Sequence, residues 1–242
     1  ISTGVEFYPN SPAIVAVDTG LVAEAPERYL VAGIGDAMAT WYEARVCMQN
    51  ESAVTCVGTR PTLAASAIAQ VCAQTLFAQG SAAAAAVATN TVNDSLEKIV
   101  EANTLLSGIG FESGGLAAAH GVAQSYTSFS QVEANFLHGE MVAMGVIAQL
   151  MMESQPDEAA RVAEFFAGVG LPIHLGQLSL DETDANVLES IIDGTLDFAF
   201  IGNMPQPVTP ESVRSAVSDA HSLGLSVIEK VGDAAYRRLQ KD

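Results

Sequence analysis

Basic side chains are scarce: ten lysines and arginines stand against 28 aspartates and glutamates, a formal net charge of −18 over 242 residues. With no basic stripe to neutralise phosphates, the composition excludes a nucleic-acid partner. It also disfavours an anionic membrane surface. Aromatic residues are few as well, at 6%, which speaks for closely packed helices rather than a β-sandwich. Only three cysteines occur, Cys47, Cys56 and Cys72, without a CxxC pair. That excludes a disulfide framework and reads as reduced thiols in a cytoplasmic protein. No signal peptide is evident, and the longest alanine-rich apolar run, Ala82 to Ala88, is too short to span a bilayer. An initiator methionine is missing too, so the chain reads as a piece of a longer polypeptide.

What is present is a hydrophobic content of 49%, ample for a large core. Residues 1–12 read as a loop broken by Pro9 and Pro12, followed by one β-branched run, Ala13 to Asp18, that predicts a short strand. Beyond Gly20 almost every segment has helical period. Pro26 suits the first position of a helix, and Gly35-Asp36 predicts the opening of a longer one to about Val46. Pro61 begins a helix from Thr62 to Gln79, closed by Gly80. Further helices are predicted over 81–89 and 93–106, the second capped by Asp94 or Ser95. Gly114 is expected to open a helix carrying His120 in its second turn, and residues 125–135 to form a polar loop. Helices then start at His138, running to about Glu153, at Pro156, and at Thr209-Pro210, where a capping threonine precedes proline. The fold class expected is mainly α, a multi-helix domain over 26–242 with a short strand-bearing remnant at 1–25.

The residues with the most chemistry are Asp36, His120 and His138. One carboxylate and two imidazoles make a common ligand set for a catalytic divalent metal with an open position. His120 and His138 lie eighteen residues apart; on one continuous helix that is roughly 27 Å, too far to share an ion. The polar stretch 125–135 must therefore reverse the chain. Bland readings stand beside this one. Asp36 after Gly-Ile-Gly suits a helix N-cap, and each histidine suits a satisfied core or cap position. Glu140 suits a helix N-terminus through the macrodipole, or the general base of a metal hydrolase. The glycines between 108 and 115 are wrongly spaced for a phosphate loop and suit close helix contacts. Trp41 and Phe136 read as core, His174 and His221 as surface or cap residues near helix ends. Phe111 suits either an inward position or a cleft wall.

Longer motifs surround these residues: Ala32-Gly33-Ile34-Gly35-Asp36-Ala37-Met38-Ala39-Thr40, the stretch Glu101 to His120 (EANTLLSGIGFESGGLAAAH), Leu137-His138-Gly139-Glu140, Gly170-Leu171-Pro172-Ile173 and Asn203-Met204-Pro205. Together they closely resemble the glycerol dehydrogenases of the iron-containing (group III) alcohol dehydrogenase superfamily, along nearly the whole chain. The resemblance implies zinc, or iron as in some relatives, on Asp36, His120 and His138. It implies NAD as cofactor, glycerol as substrate, and a homo-oligomer. It places Phe111 beside the substrate and nicotinamide cleft. It also implies that the helical domain follows an α/β NAD-binding domain of which the chain holds only the last piece, since no glycine-rich dinucleotide turn occurs. A histidine often found three or four residues after the first histidine ligand is replaced here by Ala123 and Gln124, leaving Gln124 as a hydrogen-bonding but non-titrating candidate for substrate contact. A non-catalytic zinc-binding or oligomerising helical module is the alternative.

Overall fold

The computed structural model of the chain describes Tyr8, Asn10 and residues 12–241; the loop expected at 1–7, Pro9 and Ser11 lies outside the described residues. Among the described residues there are helices and no strands. The predicted strand from Ala13 to Asp18 is not formed. Ile14, Val15 and Val17 are exposed, and no neighbouring strand is there to pair their backbone N–H and C=O groups, without which a lone β-branched run gains nothing. Asp18 instead caps a short helix, α1 (Thr19–Glu24), accepting from the Gly20 and Leu21 N–H groups.

Two long helices and one largely buried helix organise the rest. α2 (Glu27–Gln49) runs unbroken through Gly35-Asp36, so Asp36 lies mid-helix and the N-cap reading falls. α3 (Leu63–Val87) is capped by Thr62, which accepts from Ala65 N, and it passes straight through Gly80. Local sequence suggested a stop there; the glycine instead makes room for Phe165, whose ring would lie 2.8 Å from an added Cβ. α4 (Asp94–Glu101) is capped by Asn93 rather than Asp94 or Ser95. It flows through a π-helical turn at Ala102–Leu106 into α5 (Ser107–Gly114).

α6 (Ala118–Tyr126) starts four residues later than expected, which puts His120 in its first turn. The polar stretch after it holds a short α7 (Ser130–Asn135) and reverses the chain into α8 (His138–Met152). Every residue of α8 from Gly139 to Leu150 is buried, as befits a helix that is apolar all round. α9 (Pro156–Val169) and α11 (Pro210–Val231) pack on α8, α10 (Ala185–Leu196) on α6 and α11, and α12 (Ala234–Leu239) on α9. Ile34, Met38 and Tyr42 of α2, Leu76 of α3, Met144 and Ile147 of α8 and Phe166 of α9 form one core, against which Trp41 and Phe136 pack partly buried. Cys47 and Cys72 are buried and free, and burial pushes both thiols up to about 12, which leaves them unreactive. No helix is long and apolar enough to cross a membrane among the described residues.

Candidate metal centre

Three helices meet where the two histidines stand, and glycines allow them to. At Gly139, the second residue of α8, an added Cβ would lie 1.8 Å from the Ala32 carbonyl oxygen and 3.2 Å from Asp36 N. α8 thus crosses α2 backbone to backbone, setting His138 beside Asp36. At Gly145 a Cβ would lie 2.1 Å from the Ala119 carbonyl oxygen, so α6 lies as tightly against α8 and brings in His120. Helix axes normally stand 8–10 Å apart because side chains separate them; here bare backbone removes the spacer.

The result is a cluster in which one ligand atom from each of Asp36, His120 and His138 lies within 4.8 Å of the others. Nε2 of His120 and Nε2 of His138 are each 3.4 Å from Asp36 Oδ1, and the two rings stand 5.5 Å apart. The Asp36 side chain is partly exposed at its edge, yet Oδ1 itself is covered and accepts no hydrogen bond. An orphaned carboxylate oxygen aimed between two imidazole nitrogens is what a cation would satisfy, so the donor set fits a divalent metal.

Behind His120 stands a residue that sequence reasoning missed. Glu43, on α2 and fully buried, places Oε2 2.5 Å from His120 Nδ1. Its Oε1 accepts from the backbone N–H groups of Ala117 (2.8 Å) and His120 (2.9 Å). The signal was in the sequence: Glu43 is seven residues after Asp36, hence on the same face of one helix. Gln149 on α8 accepts from Ala119 N (2.8 Å) and donates to the Tyr42 carbonyl (2.8 Å). The free N–H groups at the start of α6 are therefore satisfied by α2 and α8 rather than by a cap of its own. Asn203 donates to the Leu116 and Val54 carbonyls, both at 2.8 Å, and pins the turn before α6.

Burial alone would lower the pKa of His120, but the charge of Glu43 and the contact with Asp36 overcome it and raise it to about 10. Burial would raise Asp36, yet the two imidazoles hold its carboxyl well below the usual carboxylate range. Without metal, His120 is an imidazolium at neutral pH. Since its folded pKa exceeds the ordinary 6.5, the stability it contributes is full below that value and is lost as pH rises through about 10. A metal must displace this proton. Zinc binding at neutral pH is thus expected to release about one proton, with affinity rising about tenfold per pH unit toward 10. Calorimetry in two buffers of different ionisation enthalpy measures it; a proton count near zero would contradict the protonated ground state.

Of the other candidates, Phe111 is half-buried on α5, and Gln124 is exposed on α6 one turn beyond His120. Glu140 is 2% exposed and fully engaged. Arg28 donates to both of its oxygens (2.8 and 2.7 Å), Leu137 N to Oε2 (2.7 Å) and Gln240 to Oε1 (2.8 Å). It fastens the N-terminus of α8, as the helix-terminus reading expected, and has no free oxygen to serve as a hydrolase base. His174 stands at the N-cap position of a 3-10 turn, Leu175–Leu178, without a side-chain capping bond, whereas His221 lies in the middle of α11; both are half-buried and stack edge to face at 5.7 Å.

No protein-family model matches the chain. The glycerol dehydrogenase of Citrobacter freundii is 42% identical to it over 220 residues, 90% of this chain and 60% of that protein. The crystal structure of glycerol dehydrogenase from Schizosaccharomyces pombe superposes with a TM-score of 0.88 at 33% identity, covering 94% of this chain and 59% of that one. An iron-containing alcohol dehydrogenase from Thermococcus thioreducens shares the fold at 18% identity, with a TM-score of 0.62 over 85% of this chain and 53% of that one. The chain spans about 60% of the length of the curated relatives it matches. It is accordingly a homologue of the glycerol dehydrogenases, corresponding to their C-terminal part, with the helical fold of the iron-containing alcohol dehydrogenases.

Proposed function

We propose that this chain is the metal-binding, substrate-activating part of an NAD-linked glycerol dehydrogenase, oxidising glycerol to dihydroxyacetone, with zinc (iron in the alternative) held by Asp36, His120 and His138. The observation that carries the reading is the unpartnered Asp36 Oδ1 facing both Nε2 atoms, in a chain 42% identical to such an enzyme. Bound there, a divalent ion supplies Lewis acidity and lowers the pKa of a neighbouring hydroxyl. Asp36 anchors the ion by charge, while two neutral imidazoles leave it electrophilic. His138, whose side chain is 58% exposed, forms the open rim through which a small polyol enters. Phe111 borders the cleft, and Gln124 offers a hydrogen bond to a second hydroxyl. Ala123 and Gln124 put no titrating side chain one turn beyond His120, so water takes the hydroxyl proton. NAD, when bound, would accept the hydride; it would be held mainly by an N-terminal domain of which residues 1–25 are the remnant, residues 26–242 being the helical metal-binding domain. A homo-oligomer is part of the same proposal.

The test is cobalt substitution. Co(II) in the three-ligand site gives a visible absorption spectrum sensitive to its open position, and glycerol is expected to change it while a monohydric alcohol of similar size changes it less. A spectrum indifferent to saturating glycerol would sink the reading.

A further inference from the structure

A ligand set explains which atoms touch a metal and leaves open why this place should prefer a doubly charged one. Two ionisable groups of α2 face the convergence of α2, α6 and α8: Asp36, which reaches the Nε2 atoms, and Glu43, which does not touch that space at all. Glu43 is 0% exposed, and all its hydrogen bonds come from the start of α6 and the residue before it: Ala117 N and His120 N on Oε1, His120 Nδ1 on Oε2. The other buried carboxylate next to the site, Glu140, already has the Arg28 guanidinium as counter-charge. Glu43 has no lysine or arginine in an ion pair with it; its charged neighbour is His120.

Resting on the metal reading above, we propose that Glu43 is the positioning residue that makes the site specific for a divalent cation, by holding His120 in its Nδ1–H tautomer and by supplying a second, fully buried negative charge beside that of Asp36. A carboxylate only accepts, so the contact to Nδ1 requires the hydrogen there, which leaves the Nε2 lone pair directed at the space beside Asp36. A carboxylate behind a ligating histidine fixes both ring and tautomer. The charges then close: with both imidazoles neutral, Asp36 and Glu43 together carry two negative charges, which a divalent ion cancels. A monovalent ion leaves one negative charge uncompensated and a trivalent ion one positive charge, which is costly because Glu43 is fully buried and its charge is not screened by water.

Glu43 also caps α6, so the test must separate the cap from the tautomer. Glu43→Gln does so. Its single carbonyl oxygen can keep the two backbone N–H groups, but its NH2 then faces Nδ1. That nitrogen must become an acceptor, which places the ring proton on Nε2, where it blocks the metal. The variant is expected to fold but to melt below wild type at neutral pH without metal, since the imidazolium–carboxylate pair is lost, and to bind zinc about 10–100-fold more weakly in chelator competition. In the wild-type chain loaded with isotope-enriched cadmium, heteronuclear NMR is expected to show coupling of the metal to Nε2 of His120 and a slowly exchanging proton on Nδ1. Zinc affinity of Glu43→Gln within about threefold of wild type would overturn the role, and so would coupling through Nδ1. Should the variant fail to fold, the wild-type spectrum still decides. Failure of wild-type protein to bind zinc or cadmium would instead overturn the metal reading beneath the proposal.

Discussion

A His138→Ala chain is expected to lose its divalent ion while keeping its fold. The His138 ring is more than half exposed and, beyond its contact with Asp36, stands 5.5 Å from the His120 ring. Truncation therefore removes little packing, and metal-free stability is expected to change by no more than about 0.5 kcal/mol. On the proposed site a metal would lose one ligand of three. Structural zinc sites with four ligands are worth about 10–16 kcal/mol, or roughly 3 kcal/mol per ligand. At about 1.4 kcal/mol per factor of ten, that is on the order of a hundredfold in affinity. Elemental analysis after dialysis against a weak chelator, beside a thermal melt of the metal-free protein, separates the two effects. Full zinc occupancy in the variant would remove His138 from the site. Loss of fold without metal would mean that the ring is structural instead.

The second large effect is expected at Gly139, and it acts on the scaffold. An alanine there would drive its Cβ to 1.8 Å from the Ala32 carbonyl oxygen and 2.6 Å from its carbon. Those are backbone atoms within a helix and cannot rotate aside as a side chain would. Overpacking usually costs about 1–3 kcal/mol, and an obstacle of backbone puts Gly139→Ala at or above the top of that range. In a domain of this size a loss of about 3 kcal/mol lowers Tm by roughly 6–12 °C. Because α8 must withdraw from α2 to accept the methyl group, His138 moves off Asp36 and metal is lost together with stability. Gly168 supplies the contrast. It lies in α9, is exposed, and has nothing within 4 Å of an added Cβ. Gly168→Ala is expected to stabilise by roughly 0.5–1 kcal/mol, since alanine loses less backbone entropy on entering a helix. Equal melting temperatures for the two alanine variants would mean that the α2–α8 crossing is looser than its geometry requires.

The same glycines show why some of the fold was legible and some was not. Helix starts are local: Thr62 before α3, Pro156 opening α9 and Thr209-Pro210 opening α11 each satisfy a free N–H or dispense with one within a few residues; the last two were read as they stand and the first, read from Pro61 with Thr62 as first helical residue, falls one residue off. Gly35, Gly80 and Gly114 were read by the same local grammar as breaks or starts. At Gly35 and Gly80 the helix continues, because neighbouring helices press against the bare backbone there and the packing outweighs the small propensity cost of glycine. The Ala13–Asp18 run failed for the complementary reason: its β-branched residues favour a strand, but strand hydrogen bonds need a partner that local sequence does not contain. Asp36 looked like a cap because aspartate is among the residues favoured there and Gly-Ile-Gly before it read as a break.

For the site, the residue types and motifs of the sequence by themselves determined which side chains were candidates, Asp36, His120 and His138, and that a helical chain would have to turn back between the two histidines. Only the tertiary structure decided that they meet, because the meeting depends on two backbone-to-backbone crossings at Gly139 and Gly145 that no spacing rule encodes. The tertiary structure alone also brought in Glu43, Gln149 and Asn203. Their partners lie 30 to 149 positions away in the chain, and a buried polar group finds its role through what folding sets beside it.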